Sequence, residues 1–321
     1  MKTNKYVVMS LLAALSLASC SNDETEVASQ AATDVRISAG LADAETKAVI
    51  NSGYGEKLDV MFGFLEGNGS TFNRWYNGVR MAGEGNQFVS FDETLKYNNY
   101  SSTKTTMTGI YPRPAVSNPN SPIAYTIDGD MDLMATESQT ADKDNPFKPF
   151  MFRHKLTQLQ VKCVGSADAI KAWGNIKSVK VLDQSVNLNL TVVPGVEPTV
   201  SVNGSSKGAL DFFNCPSKIV TAKEENPQIG YCMIYPEENL GMPANPIELE
   251  VLTDYDGTNP DSPRVLNTAK KITVKNIARG ARQGYAHLIT LIFTVDGEIT
   301  IEADIAPWTP GSSTSTIIKP N

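Results

Sequence analysis

Residues 35–41 read Val35-Arg36-Ile37-Ser38-Ala39-Gly40-Leu41, and the order of their side chains decides the class of fold. Successive side chains of a strand point to opposite faces, so Val35, Ile37, Ala39 and Leu41 share one face while Arg36, Ser38 and Gly40 share the other. That is the pattern of a half-buried strand. It recurs outward along the chain, at Leu58, Val60, Phe62 and Phe64, at Val186, Leu188, Leu190 and Val192, at Ile247, Leu249 and Val251, and at Ile299, Ile301, Ala303 and Ile305. In AHLITLIFTV (286–295) both faces are mostly apolar, which predicts a central strand buried on two sides. The best helix candidate, SADAIKAW (166–173), is about two turns long. Stretches dense in Pro, Asn, Asp and Gly separate the strands, at 112–122, 141–149 and 254–263. Many short strands with such punctuation predict an all-β protein built of β-sandwiches. The Pro-rich loop NPFKP precedes a fresh strand at FRHKLTQLQV, so the chain is cut near residue 150 into an N-terminal sandwich, 34–150, and a C-terminal one, 151–321.

The opening residues are of another kind. Lys2 and Lys5 precede a run through Val7, Val8, Leu11, Leu12, Leu15 and Leu17, the layout of a signal peptide. The run falls short of the ~20 apolar residues that a spanning helix needs. Leu17-Ala18-Ser19-Cys20 resembles the bacterial lipobox, in which small residues admit a peptidase and the cysteine thiol receives diacylglycerol. Residues 1–19 would then be a lipoprotein signal peptide and Cys20 the first mature residue; the other reading is an ordinary secretory peptide with an incidental cysteine. Acyl chains contribute about 0.8 kcal/mol per buried CH₂, so a lipidated Cys20 holds a soluble body at a membrane without a spanning helix. Residues 20–33 form an acidic linker. Its first part, Ser21-Asn22-Asp23-Glu24-Thr25-Glu26, looks like the export signal that sends some Gram-negative lipoproteins to the outer face of the outer membrane, and it reads equally as a solvated spacer.

Composition narrows the function. The 321 residues provide about two domains' worth of chain, and a net charge of −7 with scattered Lys and Arg argues against a nucleic-acid partner. Beyond Cys20 only Cys163, Cys215 and Cys232 remain, at spacings that suit neither a disulfide framework nor a zinc site. Cys163 shares a strand face with Leu159 and Val161, which reads as a buried small hydrophobe. His154 and His287 have no nearby cysteine in sequence. The acidic clusters Asp128, Asp130, Asp132 and Asp254, Asp256, Asp261 lack the spacing of a calcium loop and read as solvated turns. No phosphate loop, nucleophile elbow or zinc-protease motif is present, so neither an enzyme nor a bound cofactor or metal is expected.

At FMFRHKLTQLQVKC (150–163) the chain resembles the fimbrillins, subunits of type V pili that carry a Phe-x-His-x-Leu strand beside the domain junction, here Phe152, His154 and Leu156. DLMATES (132–138), GYCMIYPEE (230–238), ARQGYAHLITLIF (281–293) and IEADIAPW (301–308) match in the same order. The resemblance implies two transthyretin-like β-sandwiches, made as an outer-membrane lipoprotein and polymerised into a fimbrium by strand exchange, supporting adhesion.

Strand exchange requires three parts. Val35, Ile37, Ala39 and Leu41 would form the removable first strand. Lys47 matches the basic residue cut by a trypsin-like protease in related subunits, or is a plain solvated lysine. The donor would be the C-terminal tail, with Ile299, Ile301 and Ile305 and, further on, Ile317 and Ile318. Burying three isoleucines contributes roughly 4–9 kcal/mol, and association costs about 4–15 kcal/mol. Three alone therefore break even, and a stable polymer also needs ladder hydrogen bonds and the segment around Ile317. The partners are other pilus subunits, the outer membrane through lipid, and a surface ligand. A basal anchor that keeps Cys20 and its first strand is one alternative. A glycan-binding surface lipoprotein with Tyr97, Tyr100 and Tyr111 as an aromatic platform is another.

Overall fold

The structure is a computed structural model that describes residues 33–42, 55–119, 121–254 and 269–306. Within them the chain forms nineteen strands and one helix, in the order expected of an all-β protein. The first nine strands are β1 (Ser38–Leu41), β2 (Leu58–Glu66), β3 (Arg74–Arg80), β4 (Gln87–Phe91), β5 (Thr105–Tyr111), β6 (Ile123–Thr126), β7 (Met134–Thr136), β8 (Gln139–Ala141) and β9 (Phe150–His154). There follow β10 (Thr157–Gly165), α1 (Ala167–Trp173), β11 (Ile176–Ser185), β12 (Asn187–Thr191), β13 (Thr199–Val202), β14 (Lys207–Asp211), β15 (Gly230–Ile234), β16 (Ile247–Thr253), β17 (Lys270–Val274), β18 (Ala286–Phe293) and β19 (Ile299–Ala306).

The first sheet runs β2-β3-β4-β1-β9-β7-β5, and β5 pairs back onto β2, so its hydrogen bonds close a ring to which β8 adds a flap along β5. Closure removes the exposed edges of these strands. Every pairing around the ring is antiparallel except β1 with β9. Inside it, the alternating faces of β1 and β2 meet Met107, Phe150 and Phe152 in one apolar core. Phe62 lies edge-on to Phe150 and Phe152, with ring centroids 5.2 and 6.1 Å away. Gly109 leaves room for this cluster, because a Cβ there would sit 2.8–2.9 Å from the Phe62 and Phe152 rings.

The second region has two four-stranded sheets, β15-β10-β18-β19 and β14-β11-β16-β17, whose apolar faces share one core. β18 lies between β10 and β19, as expected of a central strand, with Ile289, Leu291 and Phe293 of one face almost wholly buried; Leu288 and Ile292 of the other face are only half-buried, so its two sides are not covered alike. α1 occupies the predicted helix. Ser166 caps it by accepting from the Ala169 N–H, and the Trp173 indole donates to the Thr294 carbonyl at 2.7 Å.

Two features of the junction depart from the reading of the sequence. The stretch FRHKLTQLQV is not one strand: Phe150–His154 belongs to the first sheet, Thr157 opens the second, and between them the Lys155 N–H donates to the Leu133 carbonyl at 2.7 Å. The strand β6, from before residue 150, pairs with β12 in a small sheet β13-β12-β6, and Ile123, Tyr125 and Ile127 bury themselves in the second core. The two cores are therefore laced together and do not meet at one cut.

Candidate functional site

The first strand occupies a slot between β4 and β9. Val35, Ile37, Ala39 and Leu41 are buried along one face, while Arg36 is exposed on the other. Main-chain bonds hold both ends. Tyr97 N–H donates to the Thr33 carbonyl (2.9 Å), Val35 N–H to Leu95 (2.8 Å), Val89 N–H to Ile37 (3.1 Å) and Ala42 N–H to Phe152 (2.8 Å). Burial of Val35, Ile37 and Leu41 contributes roughly 5–9 kcal/mol at about 1.5–3 each, so the strand is firmly seated although its regular part is four residues long. On the outer face Gly40 allows close cover: a Cβ there would lie 2.2 Å from Asn86 Oδ1 and 3.0 Å from Met151 Sδ.

Where β4 begins, the slot is closed by Arg80. This side chain is wholly buried, and its guanidinium donates to main-chain carbonyls of Ala39 (Nε, 3.0 Å), Gly83 (2.9 Å) and Gly85 (2.7 Å), with longer bonds to Glu56 and Met81. A buried charge is tolerable only when its donors are satisfied, and here carbonyl dipoles from three segments do so. Sequence reading missed Arg80. The available signal was an arginine two residues beyond the inward-facing Gly78, just ahead of a glycine-rich turn.

The other residues singled out from the sequence scatter. Ile299, Ile301 and Ile305 lie on β19, which pairs with β18 over its whole length and ends the chain's own sheet. Ile299 and Ile301 pack against the second core, and Ile305 is 44% exposed. Cys20, Lys47, Ile317 and Ile318 lie outside the described residues. The three tyrosines form no platform, since Tyr97 is buried and stacked on Phe147, Tyr111 packs against the first core, and Tyr100 alone is exposed.

The titratable groups at the junction are tied to one another or to structure. His154 Nδ1 lies 2.8 Å from Asp132 Oδ2, both buried, and the adjacent Lys155 Nζ lies 3.2 Å from Glu197. Burial pushes the Lys155 ammonium below its ordinary value, against the opposing pull of Glu197. His287 is pushed down to about 4 by burial and then by the Arg282 charge. Asp128 caps its own turn through the Asp130 and Met131 N–H groups, Asp130 accepts from the Tyr231 hydroxyl, and Asp132 faces His154. Among the described residues no three His, Cys, Asp or Glu side chains converge as a metal site. Cys163, Cys215 and Cys232 are unbridged. Burial raises all three thiols, that of Cys215 to about 11, so none is a poised nucleophile.

Among the described residues the seated first strand is the feature that stands out, and comparison with known proteins places the chain in a family. No curated protein sequence matches it significantly. Solved structures do. A candidate cell adhesion protein of Bacteroides uniformis superposes with a TM-score of 0.54 at 17% identity, covering 86% of this chain and 98% of that one. One of Bacteroides ovatus gives 0.53 at 15% identity, covering 87% and 99%. At these identities the likeness is one of fold. The model of the fimbrillin-like family matches residues 46–308, most of the sequence, and the chain therefore belongs to that family.

Proposed function

We propose that this protein is a subunit of a cell-surface pilus, exported as a lipoprotein precursor acylated at Cys20 and polymerised by strand exchange after loss of its first strand. Family membership makes it a structural or adhesive component of a fimbrium and not an enzyme. The observation that carries the finer reading is the position of β1. It is the first strand of the described chain, it completes a ring, and a single cut in the segment after it, where Lys47 stands, would free it. Its departure would open two apolar strand edges, on β4 and β9, which the precursor keeps covered during export.

The replacing strand comes from a neighbour's C-terminal tail. Because β19 completes the chain's own sheet, the donated part is the segment beyond Ala306, with Ile317 and Ile318 as its apolar residues, and Ile299, Ile301 and Ile305 root the tail in its own subunit. Ile317→Asp with Ile318→Asp should leave a processed, folded monomer by circular dichroism and gel filtration. Ladders of wild-type length from that variant would show that assembly uses another surface. Cys20→Ala should release the protein from membranes, and retention after a carbonate wash would refute the lipid anchor.

A further inference from the structure

The slot holds a feature that burial of apolar side chains does not require. Arg80 is fully enclosed, and its Nε donates to the Ala39 carbonyl across 41 residues of sequence. The same guanidinium grips Gly83 and Gly85 of the β3–β4 turn and Glu56 ahead of β2. It thus joins the first strand to three fixed points of the ring. In a strand, carbonyls two residues apart point to the same side, and Ile37, two before Ala39, gives its carbonyl to β4 through Val89. The next carbonyl on that side is that of Ala39, which stands opposite Gln87 of β4 and also receives Arg80 Nε.

We propose that Arg80 is the key of the first-strand slot: a strand is accepted there only if it reaches far enough, in the right phase, to lay a main-chain carbonyl on Arg80 Nε. In the precursor Ala39 provides that carbonyl. After exchange, which rests on the reading proposed above, the tail of a second copy provides it. A strand that stops short leaves a charged donor sealed in the interior without its acceptor, and a slip by one residue turns the carbonyl toward β9 and the apolar side chains outward. Gly40, one step later, lets the side-chain ends of Asn86 and Met151 lie close over the strand, and a side chain there would displace those flexible ends. The slot therefore reads main chain as well as side-chain pattern.

The test uses the full chain. Hydrogen exchange of residues 35–42 is compared with that of β18 as an internal reference, in wild type, Arg80→Met and Arg80→Lys. Arg80→Met removes the Nε bond to Ala39 together with the bonds that hold Gly83, Gly85 and Glu56, and should lower protection of the first strand by at least about tenfold, leaving β18 unchanged. Arg80→Lys should fall between, and carries the comparison if Arg80→Met does not fold. Equal loss in both strands, or no loss in either, overturns the proposal. In the second arm, protein cut once within 43–54 is offered a labelled peptide of residues 33–42, either unmodified or with the Ala39 carbonyl replaced by a thiocarbonyl, a weaker acceptor. Wild type should prefer the unmodified peptide and Arg80→Met should not discriminate; an undiminished preference in Arg80→Met overturns the key. If neither peptide enters wild type, strand exchange at this slot is refuted, and the hydrogen-exchange arm alone upholds or overturns the hold of Arg80 on the resident strand.

Discussion

Each region of the molecule contains one parallel pairing of named strands, and the two differ in how far the strands grip each other. β18 runs beside β10 through eight register pairs and beside β19 through eight more, so it is gripped along its whole length on both sides. β1 meets β9 in three register pairs and β4 in two, with single bonds beyond. Both strands are interior to their sheets and bury their apolar faces. What separates them is chain connection and length of grip. Among the described strands, β18 has a sequence neighbour on both sides, whereas β1 has one only on its C-terminal side. An interior place in a sheet is therefore not the same as permanence. A strand can be central in order and still be held by few register pairs.

The largest effect that tests this contrast comes from placing a charge in each seat. Leu291→Asp should cost on the order of 4 kcal/mol and abolish cooperative folding, because an unpaired carboxylate would lie in the second core. Ile37→Asp introduces the same group into the first strand, yet should expel that strand and leave β18 protected in native-state hydrogen exchange. Parallel loss of protection in both regions would break the contrast.

A smaller effect separates the two histidines. His287 lies on β18 and stays neutral in the fold down to about 4, while an unfolded chain takes up the proton near 6.5. Stability from this residue is therefore complete above about pH 6.5 and is lost as pH falls toward 4, by roughly 3 kcal/mol in all. Melting temperature measured across that window should drop in wild type and drop less in His287→Gln. Equal slopes would remove His287 from the account. The smallest expected change is at the first region's counterpart. His154→Gln loses the bond to Asp132 and should cost roughly 1–3 kcal/mol in urea unfolding, with no change in metal content. Stoichiometric zinc or copper lost with the mutation would show that His154 is a ligand and not a strut.

Strand character was plain in the sequence wherever one face is buried, because period-two alternation leaves a direct trace: Val35, Ile37, Ala39 and Leu41 face inward as their order predicts. α1 was legible for a like reason, with a serine cap ahead of a short apolar stripe. The junction was not. Phe152, His154 and Leu156 keep their alternation while the chain changes sheets at Lys155, so local pattern carries no mark of the jump. The crossing of β6 to β12 depends on residues more than sixty positions apart, as between Thr126 and Asn187. No local signal encodes such a choice of partner. At the slot, the strand was readable and its lock was not, because the partners of Arg80 are main-chain carbonyls, which every residue type presents alike.

The place where β19 ends sets a ruler for any fibre. Ala306 pairs with Ala286, which in turn sits beside Gln158, so the last described strand ends next to the start of β10, close to where the chain crosses from the first sheet. From Ala306 to Ile317 is eleven steps of chain (317 − 306), no more than about 40 Å when fully stretched. If a neighbour takes up Ile317, as proposed above, its opened slot would have to lie within that radius of the donor's Ala306. Under the exchange proposed above, the length of this tail, and not the sheet that precedes it, would set the upper bound on the spacing of successive subunits.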